Sequence, residues 1–254
     1  MSELRVHNLP QQVPANELAG GTVVVIDLLR ASTTICQALA SGAIEVVPFL
    51  EVADTLAAAE AADDRTQIVL GGERGGRQID GFELGNSPAE YTPGAVRGRR
   101  VFITTTNGTR ALDHARQADR VFVGALVNLS AVAASIGHAA RVDVLCAGTG
   151  GRATREDMLA AGALVERLRD VSPTTWQTNA AADSARQEWK SVVDAGRVSP
   201  RPLGELVAME LRETPGGRNL LAIGLEGDLA DCARIDALDA VPELDVRRWR
   251  IVLP

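Results

Sequence analysis

The stretch TVVVIDLLRASTTICQALASGA, residues 22–43, decides the fold. Thr22–Ile26 is a short, β-branched, apolar run, the pattern of a strand buried inside a sheet. Asp27 ends it. Leu28 to Ser41 then reads as a helix, and Gly42 stands where a helix stops. A buried strand running into a helix is half of the crossover unit that parallel sheets require.

The same unit repeats downstream. Ile44–Leu50, Gln67–Leu70, Arg100–Thr104, Arg120–Gly124 and Val142–Cys146 read as strands, with helices over Val52–Ala62, Thr109–Gln117 and Leu129–Ala140. Thr154 opens a stronger helix, in which Thr154 and Asp157 have capping-box spacing. Met158, Ala161, Leu164, Val165 and Leu168 make its apolar face. Strands alternating with helices in this way predict an α/β fold of three layers, a mainly parallel sheet with helices on both faces. From Ser172 the pattern weakens. Gln187–Val193, Leu203–Leu211 and Gly227–Ile235 read as helices, and Val246–Leu253 as a last, antiparallel edge strand. One domain over 1–254 is expected, with any boundary between lobes near 170–200.

Composition agrees. The 254 residues are 46% hydrophobic and 23% charged, but only 3% aromatic, so the core must be built from Ala, Val, Leu and Ile. No apolar run approaches the roughly 18 residues of a membrane span, and the start MSELRVHNLPQQ lacks a signal pattern. The expectation is a cytoplasmic protein with no membrane partner. Three distant cysteines, Cys36, Cys146 and Cys232, and three histidines argue against a disulfide scaffold or a zinc site. A net charge of −7 argues against nucleic acid. Even so, Arg74, Arg77, Arg97, Arg99, Arg100 and Arg110 fall close together, and an anionic small molecule is the ligand such a basic stretch would take. A solvated surface is the plain alternative for each arginine.

Ligands of open parallel sheets bind beyond the C-terminal strand ends. Polar residues gather at those places: Asp27 and Arg30, Glu73 and Arg74, Thr104–Arg110, and Cys146 to Asp157. Residues 71–99 break the rhythm with eight glycines and two prolines, the mark of a loop that either carries function or is disordered. TTTNGTRAL (104–112) sets hydroxyls, Asn-Gly and an arginine at a helix start, either an anion cradle or an ordinary capped turn. Asp27 can hold a metal, attack phosphorus, or simply cap the next helix. DLLR lacks the second aspartate, two residues on, of haloacid-dehalogenase-type phosphatases.

CAGTGGRAT (146–154) reads in three ways. Cys146 and Arg152 have the C-x5-R spacing of cysteine phosphatases, Gly148–Ala153 matches a dinucleotide-binding G-x-G-x-x-A, and a glycine turn beside an inert buried cysteine is the third reading. Neither G-x-x-x-x-G-K-[ST] nor G-x-S-x-G occurs.

Five segments together resemble the 2-phosphosulfolactate phosphatases, a magnesium-dependent family of coenzyme M biosynthesis. They are VVVIDLLRASTTICQALASGA (23–43), GGERGGRQIDGFELGNSPAEY (71–91), TTTNGTRAL (104–112), CAGTGGRATREDMLAAGALVERL (146–168) and GGRNLLAIGLEGDLADCARID (216–236). The likeness covers roughly 20–236. It implies hydrolysis of (R)-2-phospho-3-sulfolactate, or a related phosphorylated hydroxy acid, to the hydroxy acid and phosphate with Mg²⁺. It further implies roles for particular residues. Asp27 is first choice as metal ligand or nucleophile, with Glu73 and Asp157 as further metal carboxylates. Arg30, Arg74 and Arg110 would bind anionic groups, and Asn107, Thr106, Gly108 and Thr109 would supply donors. Asn86 and Ser87 would shape the substrate loop, with Gly148, Thr149 and Arg152 beside it. Glu83 stands where the family more often has Asp, and no role is assigned to it. The competing readings are a cysteine phosphatase on Cys146 and Arg152, a dinucleotide-dependent oxidoreductase on Gly148–Ala153, and a non-catalytic binder of phosphorylated acids. A homodimer is expected only as the common state of such enzymes.

Overall fold

The computed structural model describes residues 2–172 and 175–254. Its eleven strands are β1 (Ser2–His7), β2 (Thr22–Ile26), β3 (Glu45–Phe49), β4 (Ile68–Arg74), β5 (Arg77–Gln78), β6 (Arg100–Thr104), β7 (Arg120–Val123), β8 (Arg141–Cys146), β9 (Trp176–Thr178), β10 (Glu243–Asp245) and β11 (Arg250–Val252). The helices are α1 (Ala31–Ala40), α2 (Val52–Glu60), α3 (Pro93–Val96), α4 (Gly108–His114), α5 (Leu129–Ile136), α6 (Arg155–Val171), α7 (Ala180–Val198), α8 (Leu203–Arg212), α9 (Pro215–Ala222) and α10 (Gly227–Cys232). The strands form one mixed sheet in the order β5-β4-β6-β3-β11-β10-β7-β2-β8-β1-β9.

From β2 the chain steps one way along that order, through α1 to β3 and through α2 to β4. It returns the other way through β6, α4, β7, α5 and β8. Crossovers between parallel strands are right-handed, so opposite steps put their helices on opposite faces. The expected α/β architecture is what the chain adopts, and all five residues of β2 are buried within it. Among the described residues no helix is long and apolar enough to cross a membrane.

Several local expectations need correction. The strand β1 was not foreseen: its buried Leu4 and Val6 alternate with Arg5 and His7, which hides it among polar residues. Those two side chains reach Asp143 of β8, fully buried, with Arg5 Nε at 2.7 Å and His7 Nε2 at 2.8 Å. Burial alone would raise the Asp143 carboxyl, but the bonds from His7 and Arg5 hold it below the usual carboxylate range. Val246–Leu253 is not an edge strand. Arg250–Val252 within it is β11, which pairs with the preceding β10 as an antiparallel hairpin inserted between β7 and β3 in the middle of the sheet. The first long helix starts at Ala31 and not at Leu28, and β4 runs on to Arg74 and pairs with β5. The Thr154–Asp157 capping box does not form. Asp157 turns into the protein, and Thr154 donates to it at 3.1 Å.

The helix read as Gln187–Val193 is α7, far longer than expected. Only Ala182, Ala185, Trp189 and Val192 of it are buried, and the small residues at the start of that stripe weakened its apolar signal. The close approach of α7 to α6 requires Gly162, where an added Cβ would lie 2.0 Å from the Ala185 carbonyl oxygen. Gly162→Ala is therefore expected to destabilise the protein by about 1–3 kcal/mol, even after the helix-propensity gain of about 1 kcal/mol. Urea unfolding is the measurement. A lowered midpoint at unchanged slope supports the contact, and a raised midpoint refutes it.

Candidate active site

Asp27 leaves the end of β2, and Ser32 of the next helix fixes the turn, its Oγ accepting the Asp27 N–H at 2.8 Å and donating to the Val25 carbonyl at 3.4 Å. Arg30 follows at the start of α1. Glu73 sits at the end of β4, and Thr105–Asn107 between β6 and α4. In sheet order β2 and β6 are five places apart, roughly 24 Å in a flat sheet. Their ends nevertheless touch: a Cβ added at Gly108 would lie 2.6 Å from the Ala31 Cβ and 2.9 Å from Asp27 Oδ2. The sheet coils between them, and β11 joins β3 through a single residue pair, Ile251 with Val46.

The coiling closes a cleft of about 130 Å³. Asp27, Arg30, Glu73, Asn86, Thr106, Asn107 and Thr149 all line it, so all four polar strand ends of the sequence contribute to its walls or floor. That volume is well below the roughly 300–1,000 Å³ of drug-sized pockets, and suits a ligand of few atoms. Pro215, Gly216, Asn219 and Leu220 of α9 complete it, and these were not foreseen.

The cleft floor is acidic. Burial pushes the Asp27 carboxyl well above the usual carboxylate range, and the charges of Asp157 and Glu73 push it further. Asp157 is raised to about 7 by burial and then by Glu156, although three donors oppose the shift. Those donors are the N–H groups of Leu28 at 2.8 Å and Gly148 at 2.9 Å, with the Thr154 hydroxyl. Both Asp157 oxygens are thus occupied, and the residue does not line the cleft. Glu73 braces two walls, accepting Gly76 N–H and Thr106 N–H, each at 2.7 Å. Each of its oxygens retains a lone pair. Buried Glu156, another residue given no role by the sequence, accepts the Gly216 N–H at 3.1 Å through one oxygen, while its Oε2 has no partner. The Asn86 amide oxygen is likewise buried without a partner. Burial raises the Glu156 carboxyl as well.

The arginines divide. Arg30 is inside, its guanidinium on Asp228 at 2.7 Å and on the Gly76 carbonyl at 2.6 Å. Arg74 instead braces backbone, donating to the carbonyls of Glu73 and Leu50 and to the Thr104 hydroxyl, and it does not line the cleft. Arg110 pairs with Glu51 at 3.0 Å on the surface, in an adjoining hollow that shares Thr106 and Asn107 with the cleft. Ser87 is buried and donates to Asp228 at 2.5 Å, so it acts on the far side of Arg30. Thr109 turns back to Thr105, its hydroxyl on that carbonyl at 2.8 Å.

Most amide groups of the 146–154 turn are not free to cradle an anion. Four of them are committed within the site: Gly148 to Asp157, Thr149 and Arg152 to each other's carbonyls, and Gly150 to the Asn107 side chain at 3.4 Å. Arg152 is exposed, and Cys146 is fully buried with its thiol pushed well above the ordinary value by burial and by Asp157. A thiolate nucleophile needs the opposite shift.

The family profile described as "2-phosphosulpholactate phosphatase" matches residues 7–246. A protein of Symbiobacterium thermophilum named "Probable 2-phosphosulfolactate phosphatase" is 40% identical over 236 residues, covering 92% of this chain and 94% of its own. One of the same name from a Synechococcus strain is 40% identical over 93% of this chain and 94% of its own. A third, from Gloeobacter violaceus, is 38% identical over 94% of each.

Proposed function

This chain belongs to the 2-phosphosulpholactate phosphatase family, and from that premise we propose that it hydrolyses 2-phospho-3-sulfolactate, or a closely related phosphorylated hydroxy acid, with Mg²⁺, in the cytoplasm. It is a phosphoric monoester hydrolase, a class whose work is mainly the positioning of a phosphoryl group and the neutralising of its charge.

The observation that carries the Mg²⁺ proposal is a charge imbalance. A substrate with phosphate, carboxylate and sulfonate enters a cleft lined by Asp27 and Glu73, where the one lining cation among the described residues, Arg30, is already paired with Asp228. Anion binding there requires added positive charge. Among the described residues no three His, Cys, Asp or Glu side chains are grouped to hold a metal. Mg²⁺ does not require that, because it is commonly held by one or two carboxylates, retained waters and the substrate phosphate. Asp27 and Glu73 are the carboxylates on the cleft, and the unpartnered Asn86 amide oxygen is a further donor suited to it. Bound there, Mg²⁺ would offset the phosphoryl charge.

The chain's own groups supply the rest. The Arg30 guanidinium faces the phosphoryl oxygens with the N–H groups that Asp228 and Gly76 leave unused. Glu73 holds the 76 and 106 backbones at a fixed separation, so the cleft walls need not reorganise around the ligand. Asp27 is the group nearest to serving as ligand or nucleophile. Its raised pKa describes the carboxyl without a cation beside it, and a cation would return it to the ionised form either role needs.

Phosphate release from 2-phosphosulfolactate, with Mg²⁺ and then with excess EDTA, tests the reading on the wild type and Cys146→Ser. The expected result is turnover that EDTA stops and that Cys146→Ser retains within about threefold, since an inert buried thiol contributes only packing. EDTA-resistant turnover lost in Cys146→Ser would overturn the mechanism. Absence of release from any phosphorylated hydroxy acid would overturn the function.

A further inference from the structure

Among the described residues Arg30 is the one cation lining the cleft, yet a four-residue-wide turn at the start of α1 does not by itself fix so long a side chain. Its position is set from 198 residues away, where Asp228 in the first turn of α10 takes Arg30 Nη1 on Oδ2 at 2.7 Å. The other Asp228 oxygen takes the Ser87 hydroxyl at 2.5 Å. Arg30 and Asp228 side chains are only 2% and 6% exposed. The Gly76 carbonyl holds Nη2 at 2.6 Å. Two of five guanidinium donors are so used, which locks the plane of the fork and leaves the others for a ligand. Ser87 adjoins Asn86, whose side chain lines the cleft with its amide oxygen unpartnered. One carboxylate therefore ties the cleft's arginine to the loop that carries Asn86.

We propose that Asp228 is a positioning residue for phosphate recognition: it orients Arg30 toward the bound phosphoryl group and couples that arginine to the 86–87 loop. The proposal rests on the phosphatase reading, with inorganic phosphate as product. Asp228 itself does not line the cleft and acts through Arg30 and Ser87. A buried ion pair is costly to desolvate and weak as a source of stability, so its retention beside a binding cleft is better explained by the orientation it imposes.

Calorimetric titration of inorganic phosphate into the Mg²⁺-loaded protein tests it without requiring turnover. Asp228→Asn keeps the size and removes the charge; Asp228→Glu keeps the charge and changes the size. Orientation through the ion pair predicts that Asn weakens phosphate binding by about 10–100-fold and that Glu recovers part of the loss. A packing role predicts the reverse order. In an Arg30→Ala background the Asn substitution is expected to cost less than about threefold, because the group it orients is gone. Wild-type binding in Asp228→Asn, a worse Glu than Asn, or full additivity with Arg30→Ala each overturn the proposal. Should Asp228→Asn fail to fold, retention of phosphate binding by Asp228→Glu within about tenfold supports it and loss beyond that overturns it. Phosphate binding by a wild type that hydrolyses no phosphorylated hydroxy acid would count against the function alone, and absence of any phosphate binding would overturn this proposal.

Discussion

Asp27→Asn is expected to lower phosphate release by on the order of 10³–10⁴-fold while raising the melting temperature. The two effects share one cause. Asp27 lies buried within the field of Asp157, Glu73 and Glu156, all of which raise its pKa. An amide of the same shape keeps an acceptor for the Ala31 N–H but removes the like charge. Turnover is lost because neither metal binding nor nucleophilic attack survives loss of the carboxylate. Each kcal/mol of relieved repulsion is worth about 2–4 °C for a chain of this size. The pH dependence follows in sign. Acids whose pKa is raised in the folded state bind more protons folded than unfolded, so stability falls as pH rises. For Asp157 that window runs from the usual carboxylate value to about 7. Metal-free wild type is therefore expected to be more stable near pH 5 than near pH 8, with a shallower fall in Asp27→Asn. Thermal melts across that range check it. An Asp27→Asn protein that turns over at a tenth of the wild-type rate would remove Asp27 from the chemistry.

Arg30→Ala carries the second large effect, and here activity and stability fall together. Its guanidinium binds phosphate in our reading, so kcat/KM is expected to drop by about 10²–10³-fold, as for loss of a charge-stabilising donor. Removing it also strands Asp228, with only Ser87 left to it, in a buried site. Breaking one side of a buried ion pair costs about 3–5 kcal/mol. Arg30→Lys keeps the charge but cannot span Asp228 and the Gly76 carbonyl with a rigid fork, and should fall between the two. Steady-state kinetics with urea unfolding on the same samples separates the losses. Wild-type kcat/KM in a folded Arg30→Ala protein would exclude Arg30 from substrate binding.

The fold was legible wherever apolar runs were long and uninterrupted. β2, β3, β6, β7 and β8 stand within a residue or two of their expected bounds, because strands buried on both faces leave little choice of side chain. β1 escaped because Arg5 and His7 pay for their burial only through Asp143, a partner 136 to 138 positions away. The β10–β11 hairpin escaped because its strands are three residues each and an interior position for an antiparallel pair leaves no local mark. In the candidate site, Asp27, Arg30, Glu73, Thr106, Asn107 and Thr149 stand at the polar strand ends the sequence marks, whereas Asn86 was singled out only by the family resemblance. Asp228 and Glu156 could not. Each sits in a first helical turn, where an acid is expected for the helix dipole alone. Only the three-dimensional pairing of Asp228 with Arg30, and the orphaned oxygen of Glu156, distinguish them from caps.

The mid-sheet hairpin also orders events in time. Until residues 243–252 are available, β3 and β7 each end a half-sheet with its backbone donors and acceptors open. A ribosome making this chain thus makes β1 to β9 before the two halves can be sewn together. Pairings so distant in sequence are slow to form, and open strand edges recruit neighbours. The newborn chain therefore passes through a period in which it is most in need of shielding, and that period ends only when β10 and β11 slot into the gap.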